Sequence, residues 1–441
     1  MLGRKTGDTL RSPTVTPKLQ RIAAQAARDP DRVFMTLASL IDEDFLREAY
    51  RRTSKSSAAG IDGVTAQMYA ERLEENLRDL HERLRSGMYQ AAPVERVWIE
   101  KDDGGRRPIG KPAFEDKIVQ RAVAMLLEAI YEQDFSDCCY GFWQGRSPHE
   151  ALHELRQRCM REGIGWIVDA DVSGYFDSID RTRLREVLRQ RVNDGRVLRL
   201  IGKWLRAGVM EEGVLTHPET GVVQGGVISP ILANIFLHHV LDEWFEQEVR
   251  PGMKGRCFLI RFADDFVIGC ELEGDARRIM AALPKRFARF GLRIHPTKTA
   301  LIAFRKPEAH HGIDPGNGTF DFLGLTHDWS RSRRGFWVIK RRTARKRLCR
   351  TKKSLWRWCH INRHAPLKYQ YQQLCQKLRG HFQYFGIRGN LRLLEEVRRY
   401  AEQAWRYWLR RRSSKSPIDG GKFQKLLATS GLPTPKSVHN I

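Results

Sequence analysis

Leu259-Ile260-Arg261-Phe262-Ala263-Asp264-Asp265-Phe266-Val267-Ile268-Gly269 is an apolar run broken at its middle by two adjacent aspartates and then resumed. Apolar, β-prone residues on both sides of a short polar centre predict a β-hairpin with the acid pair at its turn. Asp is a common turn former, so a solvated Asp-Asp turn is one reading. The other begins from cost. Two neighbouring carboxylates repel, burying either alone is expensive, and the counter-charge that suits oxygen ligands best is a hard divalent cation such as Mg²⁺.

A second acidic element lies upstream. Trp166-Ile167-Val168-Asp169-Ala170-Asp171-Val172 reads as a buried strand and Ser173-Gly174-Tyr175-Phe176-Asp177 as the start of its turn into a helix. An Asp near the end of an apolar strand needs a partner; taken alone, Asp171 reads as a capping or structural residue. Between the two elements, Gln224-Gly225-Gly226-Val227-Ile228-Ser229-Pro230 leads into an amphipathic helix, with Ser229 expected as N-cap and Pro230 as the first helical residue. Paired glycines let a backbone come very close to something, a ligand being one possibility.

Composition narrows the class. The 441 residues carry a net charge of +25, and residues 331–415 alone hold 26 Lys and Arg against three acids. Trp337, Trp356, Trp358, Tyr369, Tyr371, Phe382, Tyr384, Phe385, Trp405, Tyr407 and Trp408 are interleaved with that charge. Basic residues supply phosphate contacts and counterion release, while aromatics either stack on bases or pack a core. Nucleic acid is favoured over an anionic membrane surface because the apolar residues read as core stripes of several helices. The eight cysteines have no C-x-x-C spacing, so they read as reduced, mostly buried thiols. Cys359, His360 and His364 lack a second ligand pair for zinc. No apolar leader and no uncharged run long enough to span a bilayer is present, and a cytoplasmic protein is expected.

Along the chain, residues 1–58 form a polar helical extension ending in a Ser-rich stretch, and residues 59–330 alternate strands and helices. Residues 94–100 and 107–109 predict a hairpin whose tip carries Lys101, with Arg107 on the return, a pair able to grip a triphosphate. Phe320–Thr326 and 335–340 predict another hairpin. Three helical patterns occupy the basic segment 331–412, broken near Pro366 and between Gly386 and Asn390, and 413–441 reads as a tail. The fold class is α+β.

In this order, Asp-x4-Phe-Asp after a strand, Gln-Gly-Gly-x-Ile-Ser-Pro, Phe-Ala-Asp-Asp in a hairpin, Gly-Leu-x-Ile-x3-Lys-Thr and Phe-Leu-Gly resemble the block series of reverse transcriptases. The set is most similar to the reverse transcriptase/maturase proteins encoded by bacterial group II introns. The likeness extends upstream through Ala59 to Thr65 and downstream to Leu378-Arg379-Gly380-His381-Phe382, which is similar to the family's maturase segment, domain X. It implies a right-hand polymerase: fingers and palm built on antiparallel sheet over 59–330, and a basic α-helical thumb or maturase domain over 331–412.

The resemblance also implies roles. Asp171, Asp264 and Asp265 match the carboxylates that hold two Mg²⁺ ions. Lys101 and Arg107 match residues on the incoming nucleotide, Phe176 an aromatic gate against the ribose 2′-hydroxyl, Gln224 and Gly225 the loop beside the templating base, and Lys298 a motif lysine near the same site. Arg341, Arg342, Arg345, Lys346, Arg347, Lys352 and Lys353 are expected to bind RNA. The implied function is binding of intron RNA, assistance in its splicing, and copying into cDNA from a DNA primer with dNTP substrates during retrohoming, in a cytoplasmic, nucleoid-associated ribonucleoprotein. Departures from the family pattern include Phe262 for Tyr, Glu100 for Pro and Lys111 for Ile. No Cys-pair and His-Asn-His pattern of a homing endonuclease follows. A related bacterial reverse transcriptase of defence or diversity-generating type, and a splicing factor that no longer polymerises, stay open beside this reading.

Overall fold

The computed structural model describes residues 15–100, 105–143, 145–211, 213–308, 316–412, 421 and 431–441. Its strands, in chain order, are β1 (Val94–Glu100), β2 (Arg106–Lys111), β3 (Trp166–Ala170), β4 (Val209–Glu211), β5 (Val214–Thr216), β6 (Cys257–Phe262), β7 (Asp265–Cys270), β8 (Ala300–Ala303), β9 (Phe320–Phe322), β10 (Leu325–Arg331) and β11 (Trp337–Thr343). They make three sheets, ordered β2-β1-β4-β5, β6-β7-β3-β8 and β11-β10-β9. With helices on and between the sheets, the fold is α+β.

The sheet β6-β7-β3-β8 is antiparallel throughout and organises the rest. Successive side chains of a strand point to opposite faces, and here both faces are covered. Val168, Ala170, Leu259, Phe266 and Ile268 join one core with the helices Val15–Arg28, Glu43–Arg52 and Phe114–Tyr131. Ile167, Phe258, Ile260 and Val267 join a second core with the helices Pro148–Arg161, Leu367–Phe385 and Leu391–Arg410. This explains why β6 and β7 read as nearly continuous apolar runs: each alternate residue has its own core to enter.

Residues 15–50 contribute to the same core as the helix Phe114–Tyr131. The basic helices share theirs with the central sheet. Residues 431–441 run back onto the protein: Val438 N–H donates to the Gly386 carbonyl at 2.7 Å, and the rings of His439 and His149 stack 3.6 Å apart.

Local expectations meet three corrections. Helix Ser229–Leu237 is preceded by Ile228 as N-cap, with no side-chain cap. Ser229 lies one step inside, its hydroxyl donating to the Val223 carbonyl at 2.7 Å, which ties the helix start to the preceding loop. The hairpin expected over 320–340 is three-stranded, since Leu323 and Gly324, both with positive φ, make a tight turn between β9 and β10. The helix Gly195–Arg206 and the short β4-β5 hairpin had no counterpart in the sequence reading. The helices Arg345–Ile361, Leu367–Phe385 and Leu391–Arg410 fall where the three patterns ran.

Candidate active site

The hairpin of β6 and β7 closes through Phe262 paired with Asp265, leaving Ala263 and Asp264 as a two-residue turn. Ala263 has φ +57°, a left-handed value for which glycine is usual in such turns. Beside it, β3 pairs with β7 so that Ala170 opposes Phe266, and the register carried one residue on brings Asp171 alongside Asp265. Strand alternation sets Asp169, Asp171 and Asp265 on the face shared by Ile167 and Val267. The structure thus sets three aspartates, up to 96 positions apart, on one face of the sheet.

Their electrostatics are those of like charges short of partners. Burial, then the charges of Asp169 and Asp264, push the Asp265 carboxyl up to about 7, against a hydrogen bond from the Leu323 N–H. Burial and the charge of Asp171 push Asp264 upward, with Arg107 and Arg261 opposing. Asp169, which the sequence reading did not assign, is likewise driven to about 7 by burial and by Asp321 and Asp171. Its position two residues before Asp171 on one strand is the signal that marks it. Lys298 Nζ is 3.3 Å from Asp171 Oδ2, and Arg107 is exposed on β2.

The donor set fits a hard divalent cation: it is anionic, oxygen-only and carried on strand ends. Among the described residues, no three His, Cys, Asp or Glu side chains converge closely enough to hold one ion.

Of the remaining expected nucleotide residues, one is shown beside this turn. Phe176, half-buried on the short helix Tyr175–Ser178, lines a small cavity with Phe142, Tyr175, Ala233, Asn234, Arg261 and Ala263. Gln224 and Gly225 lie on the β1-β2 hairpin: Gly110 N–H donates to the Gln224 carbonyl at 2.6 Å, and a Cβ on Gly225 (φ +105°) would come 2.4 Å from the Gly110 carbonyl oxygen. The close approach that this glycine allows is therefore to the chain's own backbone. Lys101 lies outside the described residues.

The basic residues divide. Arg341 is 2% exposed; its guanidinium donates to the Leu152 carbonyl at 3.3 Å and to the Ile441 carbonyl, and burial lowers it to about 10. As the cross-strand neighbour of His327, it faces the interior, because β11 places alternate residues inward. The expectation that it meets RNA is corrected. Arg342 is paired with Asp328 through both nitrogens, at 3.1 and 2.8 Å, Lys352 with Glu396, and Arg347 is half-buried. Arg345, Lys346 and Lys353 are exposed on the helix Arg345–Ile361, and Arg350 and Arg357 extend the stripe of Lys346 and Lys353 at helical spacing. Arg357 Nη1 reaches across to Glu100 Oε2 of β1 at 3.2 Å. Most of the interleaved aromatics pack inward, Trp405, Phe382 and Phe385 among them.

Residues 99–327 match the family model described as reverse transcriptase (RNA-dependent DNA polymerase). The chain is 38% identical over 240 residues to protein YkfC of Escherichia coli (strain K12), covering 53% of this chain and 63% of that protein. It is 35% identical over 231 residues to the group II intron-encoded protein LtrA of Lactococcus lactis subsp. cremoris, covering 52% and 38%. It is 33% identical over 96 residues to nuclear intron maturase 1, mitochondrial, of Arabidopsis thaliana, covering 22% and 13%. The matched stretch spans less than two thirds of each of these relatives. No described helix is long and apolar enough to cross a membrane.

Proposed function

This chain belongs to the reverse transcriptase (RNA-dependent DNA polymerase) family, and we propose that it copies group II intron RNA into cDNA and assists that intron's splicing. In this reading residues 59–330 are fingers and palm of a right-hand polymerase, and 331–412 a thumb that also binds the intron. The observation that carries it is the cluster of Asp171, Asp264 and Asp265 at the ends of β3 and β7, short of positive charge. Those three residues are the ligands for two Mg²⁺ ions. When bound, such ions favour the deprotonated attacking hydroxyl and neutralise charge on the phosphoryl group and its leaving group.

The chain's own residues do the rest. Arg107, with Lys101 beyond the described part of the hairpin, binds the triphosphate, a task that suits a guanidinium fork and a point charge. Phe176 excludes a ribose 2′-hydroxyl by occupying its volume. The loop Gln224-Gly225, held to Gly110, positions the templating base against the fingers. Lys298, 3.3 Å from Asp171, balances that carboxylate and lies close to the phosphates. The exposed face of Arg345, Lys346 and Lys353 supplies phosphate contacts to intron RNA. The similarity to the intron-encoded LtrA and to an intron maturase supports the choice of RNA partner.

Extension of an oligo(dT) primer on poly(A) RNA with Mg²⁺ tests the reading: wild type extends, and Asp264→Ala falls to background. Extension by Asp264→Ala at the wild-type rate overturns the site. In the same assay Phe176→Ala raises incorporation of ribonucleotides relative to deoxyribonucleotides; an unchanged ratio reduces Phe176 to packing.

A further inference from the structure

Behind the carboxylate turn lies a buried ion pair that the polymerase reading does not use. Arg261, three positions ahead of Asp264 on β6, is inaccessible to solvent, as is its partner Asp242. Arg261 Nε donates to Asp242 Oδ1 at 2.7 Å and Nη2 to Oδ2. His238 Nδ1 lies 3.2 Å from the same carboxylate, one turn earlier on the helix that continues Ser229–Leu237. The third nitrogen faces the turn: Nη1 donates to the Ala263 carbonyl at 3.1 Å and to Asn234 Oδ1 at 2.7 Å.

Asn234 in turn donates to the Gly141 carbonyl at 3.1 Å. Gly141 crosses Ala263 so closely that a Cβ on it would lie 2.2 Å from the Ala263 nitrogen. The backbone around Arg261 is fixed as well, its N–H donating to the Cys138 carbonyl and its carbonyl accepting from Tyr140 N–H, both at 2.8 Å. All of this converges on one alanine in a left-handed conformation, which residues with a Cβ adopt at a cost.

Stability alone gives no reason for the pair, because desolvation offsets much of its attraction and apolar residues of similar volume fill such a space as well. We propose that Arg261 is a positioning residue: anchored by Asp242, it clamps the Ala263 carbonyl and holds the left-handed turn that orients Asp264. The inference rests on the polymerase reading of that turn.

The test removes the pair without stranding either charge. Arg261→Met with Asp242→Leu is compared with wild type, and Ala263→Gly is introduced into both. Thermal unfolding, Mn²⁺ affinity by electron paramagnetic resonance, and kcat and KM for dTTP on poly(A)/oligo(dT) are measured. The paired variant melts like wild type, binds Mn²⁺ more weakly, and loses about 10- to 100-fold in kcat with KM little changed, the size expected of a misplaced group. Ala263→Gly restores part of that loss, since glycine adopts the turn without a clamp.

A folded paired variant with wild-type kcat and Mn²⁺ affinity overturns the inference. So does a loss that Ala263→Gly leaves untouched, because loosened packing is indifferent to the turn's φ. If the paired variant does not fold, Arg261→Lys, too short to serve Asp242 and the Ala263 carbonyl together, is judged by the same two outcomes. A wild-type protein that binds Mn²⁺ yet extends no primer refutes the polymerase reading, and the Mn²⁺ comparison then decides for or against Arg261.

Discussion

At the tip of β6 and β7 like charges are crowded on half-buried strand ends, whereas along the helix Arg345–Ile361 like charges are spread over an exposed face at three- and four-residue spacing. The acidic cluster is shaped by what surrounds it. Asp169 and Asp265 are both driven to about 7, and a buried arginine donates to the carbonyl of Ala263 in the adjoining turn. The basic face is shaped by water: Lys346 and Lys353 lie in high dielectric, where each cation acts almost independently. A single substitution is therefore expected to abolish function at the first and only to grade it at the second.

The largest effect that sharpens this contrast comes from Arg341, basic by sequence but interior by structure. Arg341→Ala opens a hole and leaves the Leu152 and Ile441 carbonyls without their donor, so a loss of about 2–4 kcal/mol is expected in denaturant melts. RNA affinity per folded molecule stays at the wild-type level. A variant that keeps full stability and loses RNA binding breaks the division between inner and outer cations.

Next comes acidity. The folded-state carboxyls of Asp265 and Asp169 titrate near 7, well above an ordinary aspartate, so the folded protein holds more protons than the unfolded chain between about 4 and about 7. In EDTA, stability therefore falls as pH rises through that window and levels off above it. Mg²⁺ flattens the fall, and Asp265→Asn removes part of it. Melting temperatures that rise from pH 5 to pH 7 in EDTA contradict the assignment of these two groups.

The smallest effect is on the helix. Lys346→Gln with Lys353→Gln lowers the slope of log affinity against log salt by about 1.4 to 1.8, the share of two phosphate contacts, while the melting temperature holds. An unchanged slope moves the RNA face elsewhere on the protein.

Legibility from sequence followed the same contrast. Hairpin, acid pair and strand-borne Asp171 could be read because rigid elements with period-two alternation leave a pattern in residue order. The helices of 345–410 could be read from their period and their breaks at Pro366 and Gly386. What escaped was anything set by packing across long separations. Nothing local tells Arg341 from Arg345, since the inward turn of Arg341 depends on Leu152 and Ile441. Asp242 lies 19 positions before Arg261 on another element, so their pairing is invisible until the helix folds against the sheet. Ser229 looked like a cap because residue type alone cannot reveal that its hydroxyl is engaged by Val223.

The Glu100–Arg357 contact joins elements 257 positions apart and ties the β1-β2 hairpin to the basic helix. Exposed ion pairs contribute about 1 kcal/mol at most, so the tied form outnumbers the untied by no more than about fivefold, and salt screens the tie further. Glutamate stands there in place of the proline expected from the family, so the hairpin and the helix are coupled through a bond that ionic strength alone can loosen.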